Sequence, residues 1–562
     1  MIARAALLLL ALFGVSAVQA DDLADWPRRD VLEIQPVTDR VKAILQESDF
    51  VVDAEHPPYL RVHASAEDRR ELDALGITYL VVGQEPNPPK FDKAAELGQY
   101  HSHADMTTRL QNYANAFPGI ARLVNVGNSI QGRALWAMHI TDNPDTEEDE
   151  PEFKYVSSMH GDEPVGMEMC LYLIDLLLNS YGQESVMGAR LTNLIDTTDI
   201  WILPLMNPDG HNAGSRGNFN GYDLNRNFPS YVLDPAARGT IYDGVPLNDA
   251  GRQTETRLVM AWTAAHSFVS SANIHTGSLV VNYPFDEPAS AYTSSADDAL
   301  FVDISLRYAS NNPPMYASPS FDDGITNGAA WYTVYGGMQD WHYRYMGCNE
   351  VTLELSNIKK PSQSTLATYW ENNRESMLQY MEAVHLGVRG VVTDAVSGDP
   401  VYAKIVVDAN TQPVFTDPDV GDYHRMLLPG TYSYTISAPG YEDTRVENVA
   451  VGTGNAIRTD VELMPILAHS ADANRDREIS LTELLRIVQF FNALTFQCDA
   501  DSEDGYAPYG GSCFGCAQHS SDYAPRDCAV SLSELLRGVQ LFNLGTYHPC
   551  EAGEGDGFCP GA

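Results

Sequence analysis

The chain has 562 residues, too many for one compact core, and its 44% hydrophobic, 20% charged composition is that of folded domains. A formal net charge of −41 argues against nucleic acid and anionic membrane surfaces as partners; it fits solubility, cationic ligands and calcium.

Met1 to Ala20 has a secretory layout: Arg4, the apolar run Ala5 to Val15, then Ser16-Ala17-Val18-Gln19-Ala20. Cleavage is expected after Ala20, with Ala17 as second choice, so the mature protein is expected outside the cytoplasm, secreted, extracellular or periplasmic. No later segment is apolar for long enough to span a bilayer. Residues 21–98 read as a small α/β unit, in which Leu60 to Val62 and Ile77 to Val82 are strands flanking the helical AEDRRELDAL. The unit is a propiece or the first layer of the main domain, and the Pro-rich NPPK at 87–90 marks a linker.

From 99 to 386 strands alternate with amphipathic helices, which predicts an α/β sandwich: a mixed β-sheet between helices. Strands are expected at Leu135 to Ile140, Phe153 to Ser158, Ile200 to Leu205, Ser271 to His275 and Val351 to Leu355. Helices are expected at Ala104 to Ala116, Met167 to Leu178, Glu255 to His266 and Tyr369 to Leu386. In KYVSSMHGDEPVGM (154–167), His160 and Glu163 sit where a strand ends and a helix begins, a place that faces a cleft in α/β folds. An imidazole and a carboxylate three residues apart can hold one zinc ion with a distant third ligand and a water. Alone, that pair is a common accident. Four stretches support it: NPDG (207–210), Arg216 ahead of DLNRNFP (223–229), SANIHTG (271–277) with His275 at a strand end, and EVTLELS. In the last, period-2 alternation puts Val351, Leu353 and Leu355 on one face and Glu354 on the other. A glutamate in such a strand is costly to bury without a task or a partner.

Residues 387–465 are rich in Val, Thr and Tyr with turn signals (SGDP, LPGTY, APGYE), which predicts a small all-β sandwich without ligand-type clusters. The tail, 466–562, is duplicated: ISLTELLRIVQFFN recurs as VSLSELLRGVQLFN, and SEDGYAP, more loosely, as GEGDGFCP. Asp472, Asn474, Asp476, Ser480 and Glu483 fall at positions 1, 3, 5, 9 and 12 of a calcium loop, with the Glu478 carbonyl at 7 and Arg477 where Gly is usual. Counting back from Glu534, the second copy keeps Asp527 and Ser531 but has Tyr523 and Pro525 at positions 1 and 3. Leu484, Leu485, Ile487, Val488 and Phe491 are expected to pack between the copies. Six of eight cysteines (Cys498, Cys513, Cys516, Cys528, Cys550, Cys559) lie in the last 65 residues. In an exported chain they favour disulfides, with fifteen pairings open.

HGDEPVGME, NPDG, DLNRNFP, GGMQD and EVTLEL, in this order, resemble a zinc metallocarboxypeptidase of the carboxypeptidase A/B superfamily, closest to the carboxypeptidase E, N and D branch. The resemblance covers about residues 100–465, and 387–465 is similar to the transthyretin-like domain of that branch. It implies one catalytic Zn²⁺ on His160, Glu163 and His275, with Asp223 orienting the first histidine. It implies Glu354 as general base and Arg216 as the guanidinium that stabilises the oxyanion. Asn225 and Arg226 are implied to hold the substrate's terminal carboxylate, and Tyr332 to close over its last residue. Asp286 and Gln339 match positions that receive a basic side chain. The implied activity is removal of C-terminal residues, Lys or Arg first, from peptide or protein C-termini. The branch usually lacks a propiece, so residues 21–98 depart from it. The tail is foreign to the branch too. It is similar to dockerin repeats, which implies attachment to a surface or protein partner, while the oxygen-ligand spacing of the first loop is that of a Ca²⁺ site. The competing reading is a calcium-dependent adhesion or scaffold protein with an inactive, peptide-binding domain. Such relics usually lose a ligand or the base, and this chain keeps all of them. A third reading keeps the zinc chemistry and changes the substrate, for example to a cell-wall peptide.

Overall fold

A computed structural model describes residues 30–38, 41, 51–56, 59–64, 66–84, 99–234, 247–288, 293–499, 502, 504–510, 519–550 and 556–561. The signal segment, the NPPK linker, Cys513 and Cys516 lie outside the described residues. Two compact units are present: residues up to 146 with 150–384, and 147–149 with 385 onward.

In the first unit, β1 (Asp30–Ile34), β2 (Val51–His56), β3 (Tyr59–Ala64) and β4 (Tyr79–Gln84) form their own sheet in the order β2-β3-β1-β4. Leu32, Ile34, Leu60, Val62 and Leu72 make its core. The segment is thus a separate layer of strands and no part of the larger sheet.

That larger sheet comprises β5 (Ala121–Asn128), β6 (Ala134–Ile140), β7 (Glu152–Ser157), β8 (Asp199–Leu203), β9 (Ser270–His275), β10 (Leu279–Tyr283), β11 (Ile325–Asn327) and β12 (Asn349–Leu355). Its order is β11-β10-β12-β9-β7-β8-β6-β5. The central β12, β9, β7 and β8 are parallel, and antiparallel β5, β6 and β10 flank them. Every residue of β7, β8 and β9 is buried, as strands covered on both faces must be. The helix Val165–Ser180 covers one face with Met167, Leu171, Ile174 and Leu178, each fully buried and worth roughly 1.5–3 kcal/mol for the aliphatic ones. Trp201, Leu203, Phe228, Met260, Trp262 and Trp341 form a core with the helices Thr254–Ala264 and Met338–Met346. Lys154, fully buried in β7, donates to Thr263 Oγ1 at 2.9 Å and lies 4.0 Å from the Phe268 ring centroid.

In the second unit, Val388–Asp394 pairs with Asp422–Arg425, Ile457–Arg458 and Val461–Leu463, and Lys404–Val407 with Val414–Phe415 and Gly430–Ser437; the latter also pairs with Thr444–Val451. Val388, Val392, Ile405, Tyr434 and Ile436 fill the core between these two sheets, the expected sandwich.

The tail is a true structural duplication. Its helices, Leu481–Ala493 and Leu532–Leu544, start with the same reciprocal cap, Ser480 with Glu483 and Ser531 with Glu534. Arg486 pairs with Asp504 and the Tyr506 carbonyl as Arg537 does with Asp556 and the Phe558 carbonyl. Ile487, Phe490 and Leu541 are buried, but Leu485 is exposed: one residue on from Leu484 turns a side chain about 100° around the helix. Cys550 pairs with Cys559, and Cys498 and Cys528 are also in disulfides.

The repeat also corrects the register of the second loop. Asp472 Oδ1 accepts from Asp476 N and Oδ2 from Arg477 N; Asp522 does the same for Asp527 N and Cys528 N, one residue further on. Asp522, and not Tyr523, is therefore the counterpart of Asp472, because the second loop carries one extra residue. Arg477 (φ 64°) and Cys528 (φ 64°) adopt the left-handed backbone that Gly usually supplies there.

Candidate metal centre and active site

The site stands at the carboxyl end of the parallel strands, where such sheets open a crevice. β7 ends at Ser157, and Ser158 takes a left-handed φ of 53° that turns the chain into His160-Gly-Asp-Glu163. Ser158 Oγ donates to the Glu163 carbonyl and Glu163 N to the His160 carbonyl, both at 3.2 Å, before the helix starts at Val165. Gly161 lies against Gly210, within the NPDG stretch; a Cβ on it would fall 2.0 Å from the Gly210 carbonyl carbon. Gly161→Ala is expected to cost at least about 1–3 kcal/mol and to weaken metal binding, since the turn must move; thermal unfolding and metal titration check it.

Three donor groups converge here. His160 Nδ1 lies 3.1 Å from Glu163 Oε1, His275 Nδ1 lies 2.9 Å from His160 Nδ1, and His275 Nδ1 lies 3.0 Å from Glu163 Oε2. All three residues are buried, and their donor atoms lie close enough together to hold one ion. Ligands at 2.0–2.1 Å around a tetrahedral zinc ion are spaced by about 3.3 Å, so the donor set fits that ion. The outer nitrogen of His160, Nε2, lies 2.9 Å from Asp223 Oδ1, an outer-carboxylate arrangement that fixes a ligand imidazole. Burial, then His160, push His275 down to about 4, which keeps its ring neutral as a ligand must be. Burial works against the Asp223 charge, yet Arg216 and His160 hold its carboxyl well below the usual range.

Glu354 sits on β12 in register with His275 on the neighbouring β9, so both side chains reach the same end of the same face. Its Oε2 accepts from Ser278 N at 3.3 Å. Val351, Leu353 and Leu355 are buried as expected, but Glu350 and Thr352 are buried as well, because β12 is covered on both faces; Glu354 is the residue of the strand that is partly exposed. Arg216 Nε and Nη2 donate to Asp223 Oδ2 at 3.2 and 3.1 Å, and Nη1 to Glu163 Oε1 at 3.2 Å.

The cleft around the donors is lined by His160, Glu163 and His275, by Arg216, Asn225 and Glu354, and by Asp286 and Tyr332. Asp286, only 3% exposed, is thus a pocket residue and no surface turn. Two expected contacts stand back from the lining. Gln339 lies behind Thr352, whose Oγ1 donates to its Oε1 at 2.9 Å, and Arg226 turns Nη1 onto the Asn225 carbonyl at 3.0 Å. Sequence reasoning missed three residues here. Asn282 donates to Asp286 Oδ1 at 2.8 Å, Asp340 accepts from the backbone of Asp286 and Glu287, and Lys359 Nζ reaches Asp162 Oδ2 at 3.1 Å and Glu163 Oε1 at 3.6 Å. The Asp of GGMQD was the one available signal for Asp340; Asn282 and Lys359 had none.

In the tail loop, Asn474 Nδ2 donates to Asp476 Oδ2 at 2.8 Å, and Glu483 accepts from Ala473 N and Ser480 N. Among the described residues, the acidic and histidine groups close enough together to hold an ion do not include Asp472, Asp476 and Glu483.

Comparison with known proteins agrees with the geometry. A zinc carboxypeptidase family model matches residues 106–376, and a carboxypeptidase regulatory-like domain model matches residues 387–464. Carboxypeptidase D of Mus musculus is 40% identical over 415 residues, which are 70% of this chain and 29% of that one. Carboxypeptidase M of Mus musculus is 38% identical over 368 residues, 61% of this chain and 79% of that one. The carboxypeptidase N catalytic chain of Mus musculus is 38% identical over 397 residues, 65% and 86%. The chain thus spans less than a third of the carboxypeptidase D chains it matches, and most of the other two. With its metal-type donor set, its parallel-sheet crevice and these matches together, the chain belongs to the zinc carboxypeptidase family.

Proposed function

We propose that the protein is an exported, zinc-dependent carboxypeptidase that hydrolyses the last peptide bond of peptides or proteins and prefers a C-terminal Lys or Arg. The observation that carries the reading is the convergence of His160, Glu163 and His275 beside Glu354 in one buried cleft. A zinc ion held by those three residues supplies a Lewis acid and a water acidified toward neutral pH. Glu354 takes the proton at a carboxylate oxygen and returns it to the leaving amine. Arg216 offers its guanidinium to the developing oxyanion, and its bonds to Asp223 and Glu163 hold it in the cleft meanwhile. Asn225 meets the substrate's terminal carboxylate from the lining, and Arg226, behind it, turns its guanidinium from the Asn225 carbonyl to join it. Tyr332 covers the last residue, and Asp286 accepts a cationic side chain, with Gln339 bracing the wall through Thr352. The test is release of the last residue from otherwise identical peptides ending in Arg or Phe, with and without a zinc chelator. Release that a chelator leaves intact, or a Phe preference, would refute the corresponding part.

Asp286 also sets a pH dependence. Burial pushes its carboxyl up to about 7, against the pull of Asn282 and Arg226 and with the help of Glu287. Below that pH the carboxyl is neutral and attracts no cation. KM for an Arg-ending peptide is therefore expected to rise as pH falls through about 7, while KM for a Leu-ending peptide stays flat; initial rates across pH 5–9 check it.

We assign residues 21–98 to a separate N-terminal unit, 99–386 to the catalytic domain, 387–465 to the transthyretin-like domain and 466–562 to the tail. Calcium in the first tail loop is proposed on the ligand spacing and on the left-handed backbone of Arg477. Calorimetry with added calcium tests it, and an unshifted unfolding transition would remove it. The tail's role is attachment to a surface or protein partner. Export rests on the N-terminal layout and on the tail disulfides; N-terminal sequencing of the exported chain checks it.

A further inference from the structure

Selectivity requires that one carboxylate be held still at the end of a buried pocket, and nothing in the Asp286 side chain itself ensures that. Its Oδ1 accepts from Asn282 at 2.8 Å and packs against Gly328, where a Cβ would lie 1.9 Å from Oδ1, so one side of the carboxylate is fixed while the other faces the cleft. The backbone that carries it is anchored from another element. Asp340, in the first turn of the helix Met338–Met346 and 2% exposed, accepts from Asp286 N at 2.9 Å (Oδ1) and 3.1 Å (Oδ2), and from Glu287 N at 2.9 Å (Oδ2). Both of its oxygens are spent on that one loop.

The same helix turn reaches the other side of the pocket, where Met338 N donates to Asn225 Oδ1 at 3.0 Å. That bond leaves the amide nitrogen of Asn225 as the end able to donate to a substrate carboxylate. One turn of helix therefore sets both the group that grips the peptide terminus and the group that reads its side chain. Burial, then the neighbouring Asp286, push the Asp340 carboxyl well above the usual carboxylate range, and the bonds from Asp286 N and Glu287 N work against that shift, as does the dipole at the first turn of a helix.

We propose that Asp340 is a positioning residue for side-chain selectivity: by clamping the backbone N–H groups of Asp286 and Glu287, it aims the Asp286 carboxylate at a cationic C-terminal side chain. The inference rests on the reading of Asp286 given above and goes beyond it, because Asp340 does not line the cleft and acts through another residue. Asparagine at 340 keeps one acceptor and turns an N–H₂ toward backbone N–H groups, so the clamp opens while volume is preserved.

The experiment is steady-state kinetics on the full chain with two peptides that differ only in a final Arg or Leu, for wild type, Asp340→Asn, Asp286→Asn and the double variant, with bound metal measured in each. Asp340→Asn is expected to lower the Arg-to-Leu ratio of kcat/KM about 10-fold, through KM for the Arg peptide, with kcat and metal content unchanged. In the Asp286→Asn background the same change is expected to move the ratio less than about 2-fold, because the group it aims has gone. An unchanged ratio in Asp340→Asn, or an equal loss for both peptides that recurs in the Asp286→Asn background, would overturn the assignment. If Asp286→Asn itself leaves the ratio unchanged, the pocket reading fails first and this inference with it. Should Asp340→Asn not fold, Asp340→Glu keeps the charge and displaces the acceptor pair by one methylene; a folded Glu variant with wild-type selectivity would equally sink the proposal.

Discussion

Glu354→Gln is expected to lower kcat for a C-terminal Arg peptide by about 10³-fold, with KM and bound metal near wild type. The change is isosteric and keeps an acceptor for Ser278 N, so the local fold has no reason to move. What it removes is the basicity of one oxygen at the end of β12, in register with His275. A proton acceptor that works only as the water attacks contributes to the transition state and not to ground-state binding, so the loss appears in kcat. A variant that keeps more than about a tenth of the wild-type kcat would show that the proton goes elsewhere. The adhesion or scaffold reading predicts the opposite pattern: no hydrolysis in wild type, and peptide binding that ignores Glu354.

His275→Ala is expected to abolish metal retention and activity together while the sheet stays folded. Two donors remain, 3.1 Å apart on one turn, and a bidentate site of that kind does not hold zinc against buffer. Asp223→Asn makes the graded comparison. It leaves all three donors but weakens the grip on His160 Nε2, for which about 10–100-fold lower metal affinity is expected. Both variants are read by metal analysis after dialysis and by circular dichroism. Zinc retained at full stoichiometry in His275→Ala would break the three-donor assignment whatever the activity shows.

Much is legible in the amino-acid sequence itself. His160 and Glu163 share one turn, so three-residue spacing suffices to place them. On β12 the period of two puts Glu354 on the face opposite Val351, Leu353 and Leu355 without any tertiary information, although Glu350 and Thr352 share that face. The tail repeat was equally plain, since two copies of one helix carry the same cap and the same apolar stripe.

Other features were decided by the tertiary structure. His275 follows Glu163 by 112 residues, and only the parallel pairing of β7, β9 and β12 brings their donor atoms within 3.0 Å. That Asp286 faces the cleft, and that Gln339 stands behind Thr352, depends on how a loop and a helix meet across the pocket. Asp340 reads as an ordinary acid near a helix start; its work lies in two backbone N–H groups more than fifty residues earlier. One extra residue in the second tail loop hid Asp522 from any count made backward from Glu534. The division has one physical reason. Spacing along the chain determines which side chains share a turn or a strand face, whereas sheet register and helix packing determine which distant side chains share a cleft, and those are set by the whole buried core at once.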